Sequence, residues 1–298
     1  MTADSIGQAR SHSKYNDYLF AERAERVAIY VFIVGLALFN LVPFAWLFVS
    51  AFGIRPQGFS SLYLFTPDGL TLDNFGKAFD PKGGDVLRAM LNSLGTVGGA
   101  VLLAIVVCTL AGYALSRARF RGRRDLMYAI LILQVIPITA TVLPLYLVMR
   151  DLKLINTLQG VSVGLGTVQI PFILWVLKGF FDAVPMELEE AAWLDGASRL
   201  SALFRVVLPM ALPGVGAAAV LAFNNCWGQF FLPLIMLSDP NKFLLPQALF
   251  KSILNYTNID YGMMNAMSVI YIVPSLLFFF FARRYLIRGV MAGAVAGQ

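Results

Sequence analysis

Of the chain's 298 residues, 58% are hydrophobic and only 13% charged, and the mean hydropathy is +0.72. Soluble domains carry about 25% charged residues, so a water-soluble enzyme is excluded, and repeated apolar runs of about 20 residues point to an all-α polytopic membrane protein. The net charge of +6 does not indicate nucleic acid, because the arginines gather at the ends of apolar runs and no basic face is interleaved with aromatics.

In chain order, residues 1–26 are polar and of mixed charge, and read as a flexible or surface-lying tail. The first apolar run, 27–52, is too long for a signal h-region and no small-residue cleavage site ends it. It is taken as span one, kinked near Pro43. A loop rich in Gly, Pro and Asp leads to span two, 87–115, where Gly95, Gly98, Gly99 and Gly112 permit close helix contact. Arg117, Arg119, Arg121, Arg123 and Arg124 follow as the densest basic cluster, read as a topology anchor. Span three is expected over 126–149, with Pro137 and Pro144 inside it and Gln134 as a lone polar group. Span four covers 160–181, span five 206–237 and span six 263–282, with a polar loop 238–261 before the last. Together 27–284 form one transmembrane domain of about six spans, and 285–298 a small-residue C-terminal tail.

Between spans four and five lies an island of charge, residues 182–205. Glu187, Glu189, Glu190 and Asp195 fall within three helical turns. Each acid would cost roughly 2.5–3.5 kcal/mol at a bilayer centre, so the island lies outside the hydrocarbon. Pro185 suits a helix start, Gly196 interrupts, and Ser198 can cap a second helix in which Leu200, Leu203, Phe204, Val207 and Leu208 recur at helical spacing. Two short helices joined at a glycine are expected. With six spans, this island, the basic cluster and both termini share one side, which the positive-inside rule makes cytoplasmic.

No Ser/His/Asp arrangement or paired-carboxylate site is evident, so no catalytic residue is expected. Cys108 and Cys226 sit far apart in apolar runs, and His12 has no ligand partners nearby, so no metal site is expected either. A G-x-x-x-x-G-K-[ST] loop is absent, so ATP hydrolysis is not this chain's own. Asn224, Asn225 and Gln229 are amides inside span five. They either line a solute pathway or hydrogen-bond neighbouring helices.

Glu190-Ala191-Ala192, Asp195-Gly196-Ala197, Phe204 and Leu208-Pro209 resemble the EAA loop of ABC importer permeases. The fuller string Pro185-Met186-Glu187-Leu188-Glu189-Glu190-Ala191-Ala192 is similar to the carbohydrate branch. Thr71-Leu72-Asp73-Asn74-Phe75, Pro171-Phe172 and Gly179-Phe180-Phe181 continue the family likeness, and Arg288–Val295 resembles the ending of that branch's MalG-type permeases. The chain departs from that pattern at Trp227-Gly228-Gln229 and at its ending Ala296-Gly297-Gln298.

The resemblance implies a type I ABC importer (MetI-like) permease fold in a bacterial or archaeal cytoplasmic (inner) membrane. It also implies a second homologous permease, two cytoplasmic ATPase subunits and an external solute-binding protein as partners. ATP and Mg²⁺ would then belong to the ATPase subunits, with no cofactor bound here. Carried over by position, Glu190, Ala191, Ala192, Asp195, Gly196 and Ala197 form the ATPase-coupling element. Gly289, Ala292, Gly293 and Ala294 form an ATPase-contact tail, and the loop 238–261 faces the binding protein. The solute is expected to be a sugar or oligosaccharide, with a polyol or glycerol-phosphate type as the alternative. An ion-gradient carrier, the rival from another class, needs mid-membrane ionisable groups and internal repeats that the sequence lacks.

Overall fold

A computed structural model describes residues 3–53, 69–253 and 259–295, with side chains except at 3–21, 24, 281, 282 and 284–295. Among these residues the chain is helical, and its one extended pairing is an isolated bridge between Gly53 and Leu70.

Helix α1 (Ala3–Phe52) takes in both the polar stretch expected as a tail and the first span. Ala, Gln, Glu and Arg in residues 3–26 are sound helix formers, and an i,i+4 pair between Glu22 and Arg26 at 2.5 Å adds to this. Pro43 lies within this helix. Helix α2 (Asp73–Phe79) closes the end of α1, because the Asn74 amide donates to the Ala51 and Gly53 carbonyls at 3.0 Å each. Those carbonyls would otherwise be orphans of a helix end.

Helix α3 (Val86–Arg117) is followed by α4 (Arg123–Ile132), a 3₁₀ turn (Leu133–Val135) and α5 (Ile138–Asp151). The apolar run expected as one span over 126–149 is thus broken, with its halves bent by 103°. Pro137 is the cause: it lacks an N–H and drives Ile136 to an extended ψ of 120°. Pro144 stays inside α5.

Helix α6 (Leu158–Asp182) leads to α7 (Met186–Leu194) and α8 (Arg199–Ala202). A π turn (Leu203–Val207) then runs into α9 (Leu208–Trp227). The second loop helix is therefore the start of span five, and Arg199–Trp227 forms one unbroken helical run. That run stops at Gly228 rather than reaching 237, and α10 (Phe231–Met236) and α11 (Leu245–Ile253) follow. Trp227 fixes the stop. Its ring stacks on Phe223 and Tyr271, its indole N–H donates to the Tyr271 carbonyl, and the Tyr271 hydroxyl donates to the Trp227 carbonyl.

Helix α12 (Tyr261–Val295) continues through the residues expected as a C-terminal tail. Asn255, Tyr256, Thr257 and Asn258 of the polar loop lie outside the described residues.

The central pair is α3 against α6, with α9 across both and α12 between α9 and α1. Close approach is set by glycine. A Cβ at Gly166 would stand 2.9 Å from the Ala100 carbonyl oxygen, and one at Gly99 would stand 2.5 Å from Ser162 Oγ. Gly95 and Gly98 have nothing within 4 Å, so only part of the glycine set serves this contact. Apolar side chains of α1 such as Phe32 and Phe39 are exposed, as a lipid-facing or partner-facing helix requires. Among the described residues, five helices are long and apolar enough to cross a membrane, or six if the bent pair counts as one span.

Candidate functional site

The island between α6 and α9 takes its shape from local chemistry. Pro185 is extended (φ −56°, ψ 134°), α7 begins at Met186, and Glu187 and Glu189 occupy its positive first turn. At the other end Gly196 has φ +86°. Its N–H donates to the Trp193 carbonyl at 3.0 Å, and Ala197 N–H donates to the Ala192 carbonyl at 2.9 Å. This is a Schellman ending, which places a left-handed residue after the C-cap and so favours glycine. Ser198 Oγ then accepts from Ser201 N–H at 3.2 Å and caps α8. The π turn alters the apolar stripe expected in the second helix. Leu203 and Val207 are buried at 0%, whereas Leu200 and Phe204 face outward, 61% and 54% exposed.

One residue of α7 is buried, and it is charged. Glu189 has no exposed surface, while its ion-pair partner Arg117 is 12% exposed at the side chain. Arg117 Nε pairs with Glu189 Oε1, and the Tyr113 hydroxyl donates to Oε2 at 2.9 Å. The same guanidinium donates through Nη2 to the Val184 carbonyl at 2.9 Å, and the Tyr113 hydroxyl also lies 3.3 Å from the Arg199 carbonyl. Beside them Ser116 Oγ donates to Asp182 Oδ1 at 2.6 Å, and Lys178 and Arg123 pair with the same carboxylate. A buried ionised carboxylate costs several kcal/mol unless it is paired and hydrogen-bonded. Here both oxygens are occupied. The carboxylate and its partners come from α7 and the last turn of α3, and the Asp182 group adds α6.

The residues expected to couple lie on the other face. Glu190, Ala191, Asp195 and Gly196 are exposed, and Ala192 and Ala197 are half-buried. Around them stand Leu188 at 42% and Leu194 at 89% exposure, with Glu187 beside them. Trp193 turns inward beneath the Arg199 guanidinium, 5.7 Å from its ring centre, and its indole N–H is buried without an acceptor among the described residues.

Sequence reading missed Glu189, Tyr113 and Arg117 as a unit. Arg117 belonged to the cluster read as an anchor, and that role does not describe a guanidinium locked inside the fold. The available sign was the i,i+4 spacing of Tyr113 and Arg117 at the end of an apolar helix, which puts both on one face. Arg119, Arg121 and Arg124 are exposed.

The amides of span five separate. Asn225 Nδ2 donates to Oε1 of the buried Gln169 on α6 at 3.3 Å, while Asn224 is exposed and Gln229 half-buried. Asn224 and Gln229 make no side-chain hydrogen bond among the described residues. Gln134, in the 3₁₀ turn at the helix break, reaches the Val168 carbonyl at 3.5 Å. The 3₁₀ turn and α9 thus each reach α6 near its middle, at Val168 and Gln169. Gly289, Ala292, Gly293 and Ala294 lie in the last turns of α12, where the side chains are outside the described residues.

Residues 104–290 match the family described as binding-protein-dependent transport system inner membrane component. The diacetylchitobiose uptake system permease protein NgcG of Streptomyces coelicolor is 32% identical over 255 residues, 85% of this chain and 83% of that protein. The trehalose/maltose transport system permease protein MalG of Thermococcus litoralis is 28% identical, over 93% of this chain and 99% of that one. Among solved structures, a chain of a bacterial ABC transporter involved in the import of the acidic polysaccharide alginate matches with a TM-score of 0.64. The match covers 91% of this chain and 98% of that one at 17% identity, a likeness of fold, that of a type I ABC importer permease. The family match spans more than half of the chain and contains both α7 and the Tyr113–Arg117 turn that holds it. The chain belongs to the family of binding-protein-dependent transport system inner membrane components.

Proposed function

We propose that this chain is one of two permease subunits of an ATP-driven importer, passing a sugar or oligosaccharide delivered by an external solute-binding protein. Of two cytoplasmic ATPase subunits that carry ATP and Mg²⁺, one docks on the outward face of α7. The observation that carries this reading is Leu194, an apolar side chain 89% exposed among Glu187, Glu190 and Asp195 at the polar end of the molecule. Exposed carboxylates on the same helix keep this leucine out of lipid, and an apolar side chain on such a helix suits a protein groove. The helix ends on a glycine with open space around it, so a partner can approach closely.

This docking places the basic cluster, the island and both termini on the cytoplasmic side. The segment 238–261 is then external and faces the binding protein, and Gly289, Ala292, Gly293 and Ala294 extend toward the ATPases. The sugar assignment is supported by the uptake named for NgcG and MalG. Amides at Asn225 and Gln134 suit hydroxyl groups, and a broken helix at membrane depth is tolerated where it packs within protein or lines a water-filled cavity.

Purification of the tagged permease with its partners tests the reading. The ATPase should co-purify, Leu194→Asp should release it, and mass spectrometry of the bound solute should return a carbohydrate. Retention of the ATPase by Leu194→Asp would sink the docking assignment. A phosphate ester in the complex would replace the sugar.

A further inference from the structure

We propose that Glu189 is a positioning residue whose pairing with Arg117 and Tyr113 makes α7 move as one body with α3 and α6. A push on the exposed face of α7 then reaches the spans instead of being absorbed by the loop. This rests on reading α7 as the ATPase-docking element.

The attachment is unusual in kind. Glu189 is the one buried residue of α7, at a place where an apolar side chain would pack at no cost in desolvation. Apolar contact is non-directional and lets a short helix slide or roll. A guanidinium and a hydroxyl that fill both carboxylate oxygens fix orientation as well as distance.

The grip also has three points. Arg117 holds the Val184 carbonyl before α7 and the Glu189 carboxylate within it, while Tyr113 lies against the Arg199 carbonyl after it. Both gripping side chains come from the last turn of α3. The adjoining Asp182, held by Ser116, Lys178 and Arg123, ties the end of α6 to the same turn. Every connection from α7 into the central helix pair through these groups is polar and geometrically specific.

The test uses the complete importer, with partner permease, ATPases and solute-loaded binding protein, in lipid nanodiscs. Glu189→Gln keeps the shape and removes the charge; Glu189→Asp keeps the charge and shortens the reach. Glu189→Gln should leave ATPase co-purification and basal hydrolysis intact while hydrolysis stimulated by the loaded binding protein falls about tenfold. Glu189→Asp should fall between the two. The ratio of stimulated to basal hydrolysis separates transmission from mere stability, because fewer intact complexes lower both rates together.

An unchanged ratio in Glu189→Gln overturns the proposal. So does a Glu189→Gln chain that fails to assemble beside a Glu189→Asp chain with the wild-type ratio, because the pair is then structural only. Leu194→Asp serves as the control. Loss of the ATPase there with an unaltered Glu189→Gln ratio leaves docking intact and removes the joint. The reverse result removes docking at Leu194 and leaves the joint.

Discussion

Glu189 and Arg117 lie 72 residues apart in sequence and meet as an ion pair in which the carboxylate has no exposed surface. The pair fastens a loop helix to a membrane-spanning one, and its neighbours Tyr113 and Val184 complete the hydrogen bonding.

Removing one partner should be costly. Arg117→Met leaves a buried carboxylate without its counter-charge, and the expected loss is about 3–5 kcal/mol. The double variant Arg117→Met with Glu189→Leu should recover most of that loss, because two apolar side chains leave no unpaired charge. Thermal unfolding of the detergent-solubilised chains measures both, and a double variant less stable than the single one would contradict this account.

Gly196→Ala should destabilise the end of α7 by about 1–2 kcal/mol, the cost of a left-handed conformation for an L-residue. Crowding adds nothing, since a Cβ there meets no atom within 4 Å. Faster amide exchange at Ala197, whose N–H closes the Schellman motif, is the readout.

Gly166→Ala should force α3 and α6 apart, because the added Cβ would lie 2.9 Å from the Ala100 carbonyl oxygen. Overpacking of this kind costs about 1–3 kcal/mol. Gly95→Ala, with open space around it, should change melting little, and the contrast between the two is what a melting comparison checks.

Acid should loosen the start of α12. Asp260 caps that helix by accepting from Met263 N–H at 3.0 Å, and it pairs with Lys77 at 2.6 Å. Burial by itself raises its carboxyl, but the Lys77 hydrogen bond and charge and the Met263 and Gly262 N–H groups outweigh burial, so the net shift is downward. A depressed folded value means the contribution is complete above the ordinary carboxylate range. It is lost as pH falls through the depressed value. The stability difference between wild type and Asp260→Asn should therefore be present at neutral pH and vanish in acid. Asparagine can still cap, so a pH-independent difference would overturn the assignment to the Asp260 charge.

Asn225→Ala should alter solute selectivity if the amides line the pathway, and it should cost about 0.6–2 kcal/mol in any case through the lost bond to Gln169. Competition transport assays with carbohydrates of different size decide between the two roles.

The shape of the island was legible in the sequence because Pro185, Gly196 and Ser198 act on backbone only a few residues away. The apolar runs likewise announced the long helices. Their ends were less readable. Pro43, Pro144 and Pro171 sit inside helices while Pro137 breaks one, and a proline's effect depends on whether neighbouring segments re-satisfy the backbone groups it frees. The span ending at Trp227 depends on Tyr271, 44 residues further on.

The sequence by itself determined that the chain is helical and polytopic, since composition acts locally, and it gave the expectation that the charged residues Glu187, Glu189, Glu190 and Asp195 stand outside the hydrocarbon. Tertiary structure alone decided which acid of that loop faces outward and which is locked within. Glu189 and Glu190 are chemically identical neighbours, and a helix turns them to different faces. Only the packing of α7 against Tyr113 and Arg117 makes one of those faces an interior.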